Sequence, residues 1–294
     1  MRAEMELNFT KMHGLGNDFV VIDDLSEQLD LSPEAVQWFC DRNFGIGADG
    51  LILVRPATTP DADFFMLYYN ADGTTAEMCG NGVRCFAKYV VDHGLLPANR
   101  DDLRVETLGG IKPVEITRAE NGTLLLAAVD MGAPTLLPDD LTVLACEAPG
   151  NPVVECRLDT DLGGYDVSCV SMGNPHCVLW VDDTETAPVH ELGPVLEDHS
   201  VFPNRTNVEF AEIVGENRIR LRVWERGVGE TLACGTGACA AAVVGALTLR
   251  TDREVTVELP GGELTIRWAD DNHVYMTGPA QEVFSGTLQM DDVD

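Results

Sequence analysis

Lysine is almost missing from this chain. Lys11, Lys88 and Lys112 are the only three in 294 residues, and arginine supplies the rest of 19 basic residues set against 49 acidic ones, for a net charge of −30. A nucleic-acid binder leans the other way, because it has to neutralise phosphates. The acids are spread along the whole chain rather than gathered in a tail, so nucleic acid is excluded as a partner. A membrane-length apolar run is also missing. The longest, around Ala238–Leu249, falls short of the roughly 18 residues that a span needs. The opening MRAEMELNFTKMHG lacks the apolar stretch of a secretory signal, so a cytoplasmic location without membrane attachment is expected. The nine cysteines form no CxxC pair and no zinc-finger spacing. Scattered thiols in such a chain are expected to be reduced, most of them buried as small hydrophobes. There is no HExxH and no regular histidine spacing, so no metal site is expected. A pyridoxal enzyme needs a Schiff-base lysine, and only Lys11, beside a motif, is a conceivable one.

What is present is a repeat. The length favours two domains, and short pieces of the first half recur in order in the second. Gly16-Asn17-Asp18-Phe19 is answered by Gly173-Asn174-Pro175-His176, Tyr68-Tyr69-Asn70 by Val223-Trp224-Glu225, Cys79-Gly80-Asn81-Gly82 by Cys234-Gly235-Thr236-Gly237, and Gly109-Gly110 by Gly261-Gly262. The offsets drift slowly, from 174 − 17 = 157 through 234 − 79 = 155 to 262 − 110 = 152. Four pieces in register indicate two similar domains, expected to be related by a pseudo-twofold axis. In each copy a β-rich stretch (Phe64–Tyr69, Arg218–Trp224) leads through turn residues into C-G-x-G, and each C-G-x-G opens a helix. In the first helix Val83, Phe86, Ala87, Val90 and Val91 follow helical spacing, with Gly94 as the stop. The second is apolar on every side, as a helix enclosed by sheet would be.

Cys79 and Cys234 are therefore equivalent groups at two helix starts. Inverting a carbon centre requires a proton to leave one face and another to arrive on the opposite face. Paired domains with one acid–base group each would supply both from a shared cleft. A helix N-terminus lowers a thiol's pKa, so one cysteine can serve as base while the other is the acid. The free N–H groups of Gly80-Asn81-Gly82 and Gly235-Thr236-Gly237 can hold an α-carboxylate and the charge that develops on it. A single cysteine before glycine is more often structural; two in matched positions favour catalysis. Arg226 can grip a carboxylate bidentately and Glu225 an ammonium, although a surface ion pair is the plain alternative. Asparagines alone are commonly turn residues, and His176 alone would be a satisfied structural histidine. Gly45-x-Gly47-x-x-Gly50 fits a dinucleotide fingerprint in letters only, because a helix-like Glu34–Arg42 precedes it and a strand-like Leu51–Val54 follows.

The stretches KMHGLGNDFVVID (11–23), NADGTTAEMCGNGVRCFAKY (70–89), SMGNPHCV (171–178), WERGVGETLACGTGACAAAV (224–243), VELPGG (257–262) and YMTGPA (275–280) resemble the diaminopimelate epimerase family over essentially the whole chain. The resemblance implies an α/β (α+β) fold of two domains, each with a mixed or antiparallel sheet wrapped around a central helix. Residues 1–123 with 279–294 would form the domain of Cys79, and 124–278 that of Cys234. It implies a cofactor-independent isomerase that interconverts LL- and meso-diaminopimelate in lysine biosynthesis, commonly as a homodimer, with Cys79 and Cys234 as acid and base. Asn17 and the backbone beside the cysteines, Gly80, Asn81, Gly235 and Thr236, would hold the reacting end of the substrate. Asn70, Asn174, Asn207, Glu225 and Arg226 would hold its amino and carboxylate groups. His176 and Glu225 would help to set thiol protonation. Some members carry Gln where this chain has Gly50, so no side-chain contact carries over there. The alternatives are a racemase of another amino acid such as proline, which offers Arg226 nothing to grip, and a thiol redox switch built on the same two cysteines.

The charge excess and scarcity of lysine point to a halophilic protein. Self-repulsion is fully screened only when the Debye length shortens, from about 10 Å at 0.1 M to about 3 Å at 1 M. The melting temperature is expected to rise between low and molar salt. A flat or falling trend would count against a high-salt habitat.

Overall fold

The chain enters the fold through a tight hairpin. Strands β1 (Glu6–Gly14) and β2 (Asn17–Asp23) pair antiparallel with Gly14 opposite Asn17. The two loop residues Leu15 and Gly16 both have positive φ, 57° and 90°, which is the twist-matched geometry of a two-residue turn. This turn fixes Asn17 as the first residue of its strand. The fold is that of a computed structural model, which describes residues 6–136 and 152–289.

β2 runs parallel to β3 (Gly50–Pro56), with Phe19 opposite Gly50. A parallel pair needs a crossover, and α1 (Pro33–Cys40) supplies it. Ser32 caps this helix by accepting from the Ala35 N–H, with proline in the first turn. The Gly45–Gly50 stretch lies between α1 and β3, so helix precedes strand there as the sequence predicts. β4 (Phe64–Asn70) returns antiparallel to β3 and lies parallel to β5 (Asp102–Thr107), with α2 (Gly80–Asp92) as the second crossover. β6 (Gly110–Arg118) and β7 (Leu124–Asp130) complete the meander.

The same order recurs further along. β8 (Cys156–Thr160), β9 (Gly163–Ser171) and β10 (Pro175–Trp180) are antiparallel neighbours. β10 runs parallel to β11 (Asn207–Gly215), with α3 (Val189–Glu197) between them in sequence. β12 (Arg218–Glu225) returns on β11, carries the short β13 (Gly229–Thr231), and runs parallel to β14 (Glu254–Leu259) after α4 (Gly235–Leu247). β15 (Gly262–Trp268) and β16 (Val274–Gly278) follow. The last strand, β17 (Gln281–Gln289), pairs antiparallel with β1.

By contact the chain divides into Met1–Val129 with Gly278–Asp294, and Asp130–Thr277. The division after residue 123 drawn from sequence precedes β7. That strand pairs with β6, Val114 opposite Val129, and so continues the first unit. Each unit has one enclosed helix. α2 packs on β1–β4 and β17, and α4 on β9–β12, β14 and β15. Most of α2 is buried, Arg84 included, while α4 is apolar on all faces. A helix covered by sheet on every side loses the polar stripe of a surface helix.

The thiols are not all reduced. Cys156 is disulfide-bonded, against the expectation of reduced cysteines throughout, whereas Cys40, Cys79, Cys85, Cys169, Cys177, Cys234 and Cys239 are reduced thiols. The remaining cysteine, Cys146, lies outside the described residues. Spacing alone could not reveal this bond, because connectivity is not encoded in it. No described helix is long and apolar enough to cross a membrane.

Candidate active site

Both cysteines are helix N-caps. Cys79 caps α2 in extended conformation, and its sulfur accepts from the Gly82 N–H at 3.4 Å. Cys234 caps α4 in the same conformation, with its sulfur 3.5 Å from Thr236 Oγ1. An enclosed helix leaves its first N–H groups without intrahelical partners. At each start the sequence places glycines, so these donors are not shielded by side chains. Gly237 is also required by packing: a β-carbon there would lie 2.9 Å from Glu209 Oε1 and 3.3 Å from Cys234 Sγ.

Around Cys79 the amides form a directed chain. The thiol approaches Asn17 Oδ1 at 3.8 Å, and Asn81 Nδ2 donates to the same oxygen at 3.1 Å. Arg84 donates to Asn81 Oδ1 at 2.8 Å, and its other nitrogens reach the carbonyls of Gly80 and Pro279. At the far side Asn17 Nδ2 donates to Asp49 Oδ2 at 2.8 Å. A guanidinium only donates and a carboxylate only accepts, so Arg84 and Asp49 together fix both amide orientations. Neither residue is picked out by the sequence motifs. Arg84 is fully buried, and a cation in an enclosed helix is the signal that could have found it.

Beneath Asn17 lies an ionic cluster. Asp18 takes two bonds from Arg42, at 2.8 and 3.1 Å, and pairs with Lys11 at 2.6 Å; Arg42 also pairs with Asp49 at 2.7 Å. Lys11 also donates to the Gly47 carbonyl and is buried. Burial alone would raise the Asp18 carboxyl, but hydrogen bonds from Arg42 and Lys11 outweigh it and hold the pKa well below the usual carboxylate range.

The second unit is arranged differently. His176 is fully buried, with Nδ1 2.6 Å from Glu209 Oε1 and Nε2 2.9 Å from Asn174 Oδ1. Asn174 Nδ2 donates to Thr236 Oγ1 at 3.3 Å. Thus His176, Asn174, Thr236 and Cys234 lie in one chain of contacts, and Glu209, which the sequence did not single out, joins them. Burial pushes the Cys234 thiol well up, and the charges of Glu225 and Glu209 push it further. This corrects the expectation that a helix N-terminus lowers both thiols: desolvation and two carboxylates prevail at Cys234, so it rests as the thiol.

The remaining residues are held by the protein itself. Asn207 donates to the Pro175 carbonyl at 2.8 Å and accepts from the Arg226 N–H at 2.9 Å, so its amide braces the start of β10 against the Arg226 backbone. Asn70 Nδ2 donates to Thr74 Oγ1 at 3.0 Å. Glu225 accepts from Thr231 Oγ1, and the exposed Arg226 reaches the Asn204 carbonyl at 3.0 Å. Gly50 has no room for a side chain, since a β-carbon would meet Tyr68 Cε2 and the Tyr69 carbonyl, both at 2.6 Å. The Tyr68 ring fills the space that a Gln at this position would need.

The fold, a central helix in a wrapped sheet, is shared with solved structures. A hydroxyproline epimerase from Agrobacterium vitis has the same fold, with a TM-score of 0.67 at 13% identity, covering 99% of this chain and 94% of that one. The chain belongs to the diaminopimelate epimerase family, which it matches over residues 9–137 and 168–283. Diaminopimelate epimerase of Moorella thermoacetica is 52% identical over 289 residues, covering 97% of this chain and all of that protein. The enzyme of the same name from Leptospira biflexa is 46% identical over 286 residues, again covering 97% and all.

Because the folded-state pKa of Asp18 is depressed, its contribution to stability is complete above the unfolded carboxylate's value of about 3.9 and is lost as pH falls below it. Asp18→Asn should lower the melting temperature at neutral pH, with the gap to wild type narrowing below about pH 4. A gap unchanged between pH 6 and pH 2 would remove Asp18 from the acid response.

Proposed function

We propose that the chain interconverts LL- and meso-diaminopimelate without a cofactor, with Cys79 and Cys234 as its acid–base pair. Family membership over nearly the full length supports the substrate. The observation that carries the mechanism is a reduced thiol capping the central helix of each unit, each joined to an equivalent asparagine, Asn17 directly and Asn174 through Thr236. Inversion needs a base on one face of the α-carbon and an acid on the other. Cys234, resting as the thiol, is the donor in one direction, and Cys79 is the base. In the reverse direction the roles exchange. The N–H groups at Gly80, Asn81, Gly235 and Thr236 take the α-carboxylate, where negative charge accumulates as the proton leaves. The exposed Arg226 guanidinium takes the distal carboxylate, with Glu225, Asn70, Asn174 and Asn207 around the amino groups.

Cys79→Ala and Cys234→Ala should each lower kcat by at least about 10³-fold, within the range that a positioned acid or base supplies, while the melting curve stays cooperative. Either variant at full activity would remove that residue from the mechanism. Cys→Ser should retain a trace, since a hydroxyl still carries a proton but is a poor base at neutral pH.

The reading includes a cytoplasmic, salt-tolerant homodimer. Support for the dimer comes from β17, which pairs with β1 and exposes Val283 and Phe284 at 56% and 48%; an apolar strand edge of this kind favours a symmetric partner. Sedimentation should give about twice the 31.9 kDa chain mass, and a fully active monomer would contradict it.

A further inference from the structure

Among the differences between the two units is a buried pair. Strand registers place His176 opposite Asn207 and Val178 opposite Glu209, just as Phe19 lies opposite Gly50 and Val21 opposite Ile52. His176 and Glu209 therefore occupy the positions of Phe19 and Ile52, each 157 residues on. Both strand residues reach the first turn of the enclosed helix: a β-carbon at Gly82 would lie 3.3 Å from Ile52 Cδ1, and one at Gly237 2.9 Å from Glu209 Oε1. Packing in this fold thus works with an apolar pair. The second unit has instead two ionisable side chains with no exposure, and Glu209 Oε2 has no hydrogen-bond partner among the described residues. Such a pair is no more stabilising than well-packed apolar residues, so stability does not account for it.

The pair begins a chain of contacts that ends on a cysteine: Glu209 Oε1 to His176 Nδ1 (2.6 Å), Nε2 to Asn174 Oδ1 (2.9 Å), Nδ2 to Thr236 Oγ1 (3.3 Å), and Oγ1 to Cys234 Sγ (3.5 Å). A lone carboxylate in this setting is prohibitively desolvated, so one proton is shared between Oε1 and Nδ1. Wherever it sits, Nε2 also carries a hydrogen. Asn174 Oδ1 must then accept, its Nδ2 must donate to Thr236, and the Thr236 hydroxyl hydrogen is left for the sulfur. We propose that Glu209 is a positioning residue for Cys234: it keeps the proton on His176 Nε2 and thereby holds a hydroxyl donor aimed at the sulfur whenever Cys234 has given up its proton. The inference rests on the two-cysteine mechanism proposed above. Cys234 is faced by Glu209 from β11, Glu225 from β12 and Thr236 of its own helix, and Glu209 by His176 and the Cys177 backbone from β10.

The test is Glu209→Gln. With Gln the His176 ring can hold its single proton on either nitrogen, so the chain can reverse and turn Thr236 into an acceptor. The Glu209 charge that bears on Cys234 is balanced in the wild type by the proton shared with His176, and the pair is neutral after the change as well, so the lost donor is what the sulfur registers. In iodoacetamide alkylation followed by peptide mapping, the pH midpoint for Cys234 should move up while that of Cys79 stays. This arm needs no substrate and stands even if the substrate were another amino acid. With diaminopimelate, kcat should fall at least tenfold with KM within twofold. A Cys234 midpoint that is unmoved or lowered, or one that moves together with Cys79, would overturn the proposal. A second variant guards against a folding defect. His176→Phe with Glu209→Ile installs the pair of the first unit; it should melt no lower than wild type yet lose more than a hundredfold in kcat. Wild-type activity in that double variant would equally overturn it.

Discussion

The structure depends on how the first turn of an enclosed helix is satisfied. α2 and α4 are covered by strands along their lengths, so their unpaired N–H groups can meet a partner only at the N-terminal end. In both units that end is a thiol followed by glycine, which caps the helix and leaves backbone donors free for an anion. The parallel strand pairs on either side require the crossovers that deliver these helices. The hairpin before β2 and the turn before β10 then put Asn17 and Asn174 within reach of the caps.

The two caps are electrostatically unlike. Asn17 and Asn81 beside Cys79 are fixed by a buried guanidinium at one end and a carboxylate at the other. Cys234 lies among carboxylates and is buried, which holds it as the thiol. Two chemically equal cysteines in similar helices thus have unlike second neighbours. Under the proposed mechanism a difference between the two matters, since two thiolates would leave no acid and two thiols no base. The cost is a pair of ionisable side chains in a core where the sister unit uses Phe19 and Ile52.

Much of this was legible in the sequence. The slowly drifting offset, 157 between Asn17 and Asn174 and 155 between Cys79 and Cys234, exposed the repeat, and hydropathy alone marked α4 as enclosed. What escaped were single residues whose meaning is tertiary. Glu209 reads as one acid in an apolar strand until its register partner Ile52 is known. Arg84 reads as a surface position until α2 is covered on all sides. The direction of the Cys234 shift could not be read from a helix start, because burial and two carboxylates from separate strands oppose the dipole. The disulfide at Cys156 left no trace in spacing, and the crowding of Gly50 by Tyr68 appears only once β3 and β4 are paired.

The central claim is that inversion uses two different thiols, one removing and one delivering the proton. It is tested most directly by following LL-diaminopimelate in deuterated water at early times. The account predicts meso product with one deuterium at the inverted carbon, while recovered LL substrate remains protiated. Deuterium appearing in recovered substrate as fast as in product would mean that a single base exchanges its proton and serves both faces, which would contradict it.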